Sequence, residues 1–300
     1  MSSITTYCPT CGSALDPREF GYGAGCPRCS AASYSVSQRQ PRLWGTGTGL
    51  LVWFASVVLT VGAPIVFGLL YLIMKMIRTG QLPDSQTLMQ DLGFILISVG
   101  STLPAHLLTL LICWLVVTSR GRMPFLQTIS WGQPSRLEWI YAIMLAGLMT
   151  GAAVVFERFL PSRETDLEKL LKLGYSVRVM VAILAVVTAP LVEEVVYRGV
   201  LYAGIERDWG KGAGVVAVTL LFALVHVPQY WGSVAAITAI VSLSLALTLL
   251  RAWTGKLLPC VVAHFVYNGI QAAALLAAPQ ETTQQNQAVF MIVWQSIIAI

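Results

Sequence analysis

The chain has 300 residues, of which 56% are hydrophobic and only 11% charged, against roughly 25% charged in an average soluble domain. Several runs approach the ~20 apolar residues that span a hydrocarbon core, which excludes a soluble globular protein and points to an all-α, polytopic membrane protein. The formal charge of +5 comes from basic residues scattered between apolar runs, so it sets membrane orientation rather than marking a nucleic-acid surface.

Taken in chain order, residues 1–34 come first as a small cysteine-bearing unit. Cys8-x-x-Cys11 and Cys26-x-x-Cys29 are separated by fourteen residues. Each knuckle puts two thiolates on one tight turn, and two knuckles close a tetrahedral cage around a structural zinc. Two disulfides are the other reading of these four cysteines. The segment resembles the short zinc ribbons found at the N-termini of many bacterial membrane proteins. So small a unit cannot bury a core, and the metal would supply its folding energy. A protein partner is a natural role for it, and nucleic acid is not expected.

A polar linker at 35–43 leads into the membrane part. The hydrophobic pattern predicts N-terminal spans at 46–74 and 92–118, within a unit of 44–136. Further spans are predicted at 137–157, 178–204, 213–231, 233–250 and 257–278, within a unit of 137–300. A short apolar run at 288–300 would make eight rather than seven. Trp44, Trp131, Trp139, Trp209, Trp231 and Trp253 fall near span ends, as an aromatic belt places them. Arg120, Arg122, Arg136, Arg207, Lys211, Arg251 and Lys256 sit in alternate loops. The positive-inside rule then puts the N-terminus in the cytoplasm. Between 158 and 178 the loop mixes both charges, and Glu164–Leu173 reads as an amphipathic surface helix with Leu167, Leu170 and Leu171 on one side. Cys113 and Cys260, isolated in apolar segments, read as packing residues.

Ionisable groups inside the spans are costly, by about 2.5–3.5 kcal/mol each on insertion scales, and so mark function by default. Glu193, Glu194 and Arg198 lie in AVVTAPLVEEVVYRGVLY, His226 ends Phe222-Ala-Leu-Val-His226, and His264 and Asn268 bracket His264-Phe-Val-Tyr-Asn268. Glu194 and Arg198 are four apart and share a helix face, in the favourable order for an ion pair. Glu193 points about 100° away, which leaves it free to face a cavity, where desolvation suits a carboxylate to general-base work. His106, in STLPAHLLTLL, matches no pattern and reads as a structural histidine.

EExxxR, FxxxH and HxxxN, in this order on successive apolar segments, resemble the three motifs of the CPBP family, the CAAX-processing and bacteriocin-processing (Abi) intramembrane proteases. The resemblance covers roughly 137–278 and implies an endopeptidase acting on a membrane-associated protein or peptide. It implies that Glu193 and His226 activate the hydrolytic water, that His264 and Asn268 stabilise the oxyanion, and that Glu194 with Arg198 orders the site. Glu193, His226 and His264 could also ligate a catalytic zinc; the residues leave metal-dependent and metal-free chemistry open. A non-catalytic scaffold or immunity protein on the same fold, and a proton-coupled transporter, are the competing readings. HExxH, a spanning aspartate pair and GxSxG are all absent from the sequence, which leaves glutamate and histidine to carry any hydrolysis.

Overall fold

A computed structural model describes residues 6–7, 14–15, 44–81 and 83–277. The chain divides into two compact units, Met1–Leu43 and Trp44–Ile300. In the first, β1 (Thr6–Tyr7) pairs antiparallel with β2 (Ala14–Leu15), Thr6 opposite Leu15 and Tyr7 opposite Ala14. Cys8, Cys11, Cys26 and Cys29 lie outside the described residues, as does the run at 288–300.

The second unit is helical among its described residues: α1 (Thr46–Thr79), α2 (Ser85–Gln90), α3 (Leu92–Gly100), α4 (Thr102–Val117), α5 (Phe125–Thr128), α6 (Arg136–Phe159), α7 (Asp166–Leu171), α8 (Tyr175–Ile183), α9 (Ala189–Glu193), α10 (Tyr202–His226), α11 (Val234–Thr254) and α12 (Leu258–Ala277). Two π-helical stretches, Leu184–Thr188 and Glu194–Leu201, join α8, α9 and α10. Caps set the boundaries. Ser135 with Glu138 and Thr165 with Glu168 form capping boxes at the starts of α6 and α7. The amphipathic segment expected at 164–173 is α7, with Leu170 buried.

Among the described residues six helical runs are long and apolar enough to cross a membrane, and they carry large exposed apolar side chains such as Leu51, Ile77 and Phe159. These features fit an integral membrane protein. Seven or eight spans were expected. The difference arises because 178–204 and 213–231 belong to one helical run, Tyr175–His226. At about 1.5 Å per residue that run is far longer than a ~30 Å hydrocarbon core, and it folds back on itself at Gly210, whose φ of 84° only glycine adopts freely. The second arm returns along the first. A Cβ on Gly214 would come within 2.9 Å of the Tyr202 ring, and Phe222 meets Tyr197 edge-on at 5.0 Å. Val52 of α1 and Cys113 and Val117 of α4 pack against this hairpin, with Val192, Val195, Val200, Leu201 and Val218 as its core. Cys113 and Cys260 are buried free thiols, as expected of packing residues.

Candidate active site

Pro190 shapes the chain just ahead of the two glutamates. Proline has no N–H, and its ring clashes with the carbonyl four residues back in a regular α-helix. The helix widens instead: the Ala189 N–H donates to the Leu184 carbonyl, five residues back. In that register the Ala185 carbonyl would need the N–H of Pro190, which does not exist. Asn268 of α12 fills the gap, donating from Nδ2 to the Ala185 carbonyl at 2.8 Å. The widened turn ends one helical turn before Glu193, so it sets where both carboxylates point.

Glu194 and Arg198 are completely buried and paired at 2.9 Å. Every arm of the guanidinium is used. Nε donates to Thr248 Oγ1 (3.2 Å), Nη1 to Glu194 Oε1 (2.9 Å), and Nη2 to the Ser244 carbonyl and hydroxyl (3.0 and 2.9 Å). The Phe222 ring lies 4.8 Å below it, within cation–π range. One turn up α11, Arg251 donates from Nε to the Arg198 carbonyl. Glu194 Oε1 also accepts from His264 Nδ1 at 2.8 Å, which fixes the ring tautomer and turns Nε2 the other way.

Nε2 of His264 faces Glu193 Oε2, 3.7 Å away. The two neighbouring glutamates thus approach opposite nitrogens of one imidazole. Glu193 is about a quarter exposed while Glu194 is sealed, the division expected from their 100° separation on a helix. His226 is held by a hydrogen bond from Nδ1 to the Phe222 carbonyl (2.7 Å) and by stacking on the Phe222 ring at 4.5 Å. That ring also meets His264 edge-on at 6.2 Å, so Phe222 touches both imidazoles.

Three more groups feel the Glu193 charge. Tyr197 lies one turn along the helix, its hydroxyl accepting from Trp53 Nε1 at 3.1 Å. Tyr230 belongs to the loop after α10, and burial, then Tyr267 and the Glu193 and Glu168 carboxylates, push its phenol up. It therefore stays a neutral hydroxyl beside the site. The third is His106 of α4, whose Nδ1 is 2.9 Å from Thr188 Oγ1.

With these residues placed, the comparison with known families becomes informative. Residues 175–270 match the family Rce1-like, described as type II CAAX prenyl endopeptidase Rce1-like. This segment is similar to the CAAX proteases. It is about a third of the chain, and it holds Glu193, Glu194, Arg198, Phe222, His226, His264 and Asn268 together. The match supports a CAAX-type intramembrane protease. No curated protein and no solved structure matches the chain.

The structure brings Glu193, Glu194, Arg198 and His264 into one polar network, joins His226 to it through the Phe222 ring, and places Asn268 on the Ala185 carbonyl. Glu194 braces His264 as well as Arg198. Glu193 lies beside His264. Among the described residues no three His, Cys, Asp or Glu side chains form a group able to hold a metal. Ser244 and Thr248 were missed. They are two of the three hydroxyls in the mostly apolar AIVSLSLALTLL and lie one turn apart, and that spacing was the available signal.

Proposed function

We propose that the protein is an intramembrane endopeptidase hydrolysing a peptide bond of a membrane-associated protein or peptide, prenylated CAAX ends being the substrate class to test first. The observation that carries this reading is the placement of Glu193 and Glu194 on opposite nitrogens of His264, with Glu194 locked by Arg198. A buried carboxylate orienting one ring nitrogen while the other faces the reaction is the logic of catalytic triads.

In this reading Glu193 takes the proton of the attacking water as the oxygen adds to the scissile carbonyl, and returns it to the leaving amine. His226, its Nδ1 proton committed to the Phe222 carbonyl, offers Nε2 as a second acceptor that orients the water. His264, with its Nδ1–H on Glu194, donates to the oxyanion from Nε2 in the imidazolium form, which carries a proton on both nitrogens, and the Glu194 charge beneath it stabilises that form. Asn268 has two amide hydrogens; one holds the Ala185 carbonyl, and the second joins the oxyanion donors. No step in this reading is routed through a metal.

The test is cleavage of a fluorogenic prenylated CAAX peptide in proteoliposomes by the wild type and by Glu193→Gln. Loss of cleavage with an unchanged melting temperature supports the reading, and equal cleavage by both ends it. The four ribbon thiols are proposed to hold one structural zinc. The full chain should then contain one zinc per molecule, lost in Cys8→Ser/Cys11→Ser, and cleavage by that variant should survive chelators.

A further inference from the structure

His106 lies outside the matched segment and outside every motif, yet it is buried on the inward face of α4 together with Ala105, Thr109 and Cys113. Leu103, Leu107, Leu108 and Leu111 take the outward positions. We propose that His106 is a positioning residue of the site, acting through Thr188 on the widened turn that aims Glu193 and Glu194. The proposal rests on the peptidase reading above.

Two side chains from other helices grip the turn Leu184–Thr188. Asn268 of α12 takes the Ala185 carbonyl, and His106 of α4 takes the hydroxyl of Thr188. That hydroxyl also reaches the Leu184 carbonyl at 3.2 Å, the same carbonyl that accepts the five-residue bond from Ala189. The imidazole therefore ends a chain of polar contacts that runs His106, Thr188, Leu184, Ala189 and on into α9, whose last residue is Glu193. A π-turn and an α-turn differ by one residue in the same length of helix, so letting the turn relax would rotate α9 and swing both carboxylates away from His264. An imidazole inside a span, bonded to the hydroxyl that braces this turn, does more than fill space.

The test compares His106→Leu, His106→Asn and Thr188→Val in the full chain. Asparagine places Nδ2 or Oδ1 where the imidazole has Nδ1, keeping the bond to Thr188 but unable to carry a proton as an imidazole does. Two readouts are needed: kcat and KM on the prenylated peptide, and hydrogen exchange of the 184–194 amides. Misplacement of reacting groups by about 1 Å can cost on the order of 10²-fold. His106→Leu and Thr188→Val should each lower kcat by about tenfold to a hundredfold with KM little changed, and both should speed exchange in 184–194. His106→Asn should restore most of kcat and the slow exchange, and the double variant His106→Leu/Thr188→Val should be no worse than either single. If His106→Asn is as slow as His106→Leu while exchange stays slow, the ring acts by its proton and the proposal is overturned. A drop in melting temperature with kcat unchanged also overturns it. Should His106→Leu not fold, Thr188→Ser against Thr188→Val carries the same comparison. If the wild type cleaves nothing but exchange still separates the leucine and asparagine variants, the positioning stands and the peptidase reading fails.

Discussion

Glu194 and Glu193 are adjacent in the chain, yet the regions they anchor are built on different terms. Around Glu194 every nitrogen of Arg198 finds an acceptor on α11 or on its own helix, and water is shut out. Around Glu193 there is partial exposure and one imidazole at 3.7 Å, with no hydrogen bond to its carboxylate among the described residues. The sealed half is committed to holding geometry. The open half keeps its carboxylate and a ring nitrogen uncommitted, which is what a group that must exchange protons with substrate requires. The difference teaches that in this chain stability and reactivity are assigned to separate residues one position apart, and substitutions should separate them.

The largest expected effect is on the sealed half. Arg198→Leu leaves Glu194 as an unpaired buried charge and should destabilise the protein by about 3–5 kcal/mol, read as a lower melting temperature in detergent. Replacing both members, Glu194→Leu/Arg198→Leu, should recover part of that loss, since an apolar pair removes the stranded charge. If the double variant is less stable than Arg198→Leu alone, the pair does more than neutralise itself. On the open half, His264→Asn sharpens the comparison. It keeps a donor toward Glu194 and deletes Nε2, so cleavage should fall by about 10²-fold or more while the melting temperature moves little. Asn268→Ala lies between the halves. It strands the Ala185 carbonyl, at a cost of about 1–3 kcal/mol, and it should slow cleavage at the same time.

The smallest effect lies away from the site, at the start of α3. There Asp91 accepts from the Gly93 and Phe94 amides, from Tyr71 and from Lys75. Burial pushes its carboxyl up, but the Lys75 and Tyr71 bonds outweigh this and hold it below the usual range. A depressed carboxylate contributes stability that is present above its unfolded pKa of about 3.9 and is lost as the pH falls through the folded value. Asp91→Ala should cost about 1 kcal/mol at neutral pH, flatten the acid side of the stability curve, and leave cleavage untouched.

How legible the site was follows the same division. Residues four apart on a helix share a face, so Glu194–Arg198 and the free direction of Glu193 were readable from spacing alone. The spans were readable from hydropathy, except that the charged IERDWGKG between two of them reads as a loop, whereas the chain stays helical through it and bends at Gly210. The roles of Asn268 and His106 were not readable. Both depend on a widened turn, and Pro190 hints at irregularity without saying which carbonyl it strands or which helix answers it. Ser244 and Thr248 were visible as hydroxyls but needed Arg198 opposite them to acquire meaning.

The central claim, that Glu193 is the reactive carboxylate and Glu194 its support, is tested most directly by one comparison in proteoliposomes: cleavage rate and melting temperature measured together for Glu193→Gln and Glu194→Gln. The account predicts that Glu193→Gln keeps its melting temperature and loses at least about 10²-fold in rate. It predicts that Glu194→Gln loses stability as well as rate, because Arg198 is left without its counter-charge. Full cleavage by Glu193→Gln, or a melting temperature that falls for Glu193→Gln and holds for Glu194→Gln, would contradict it.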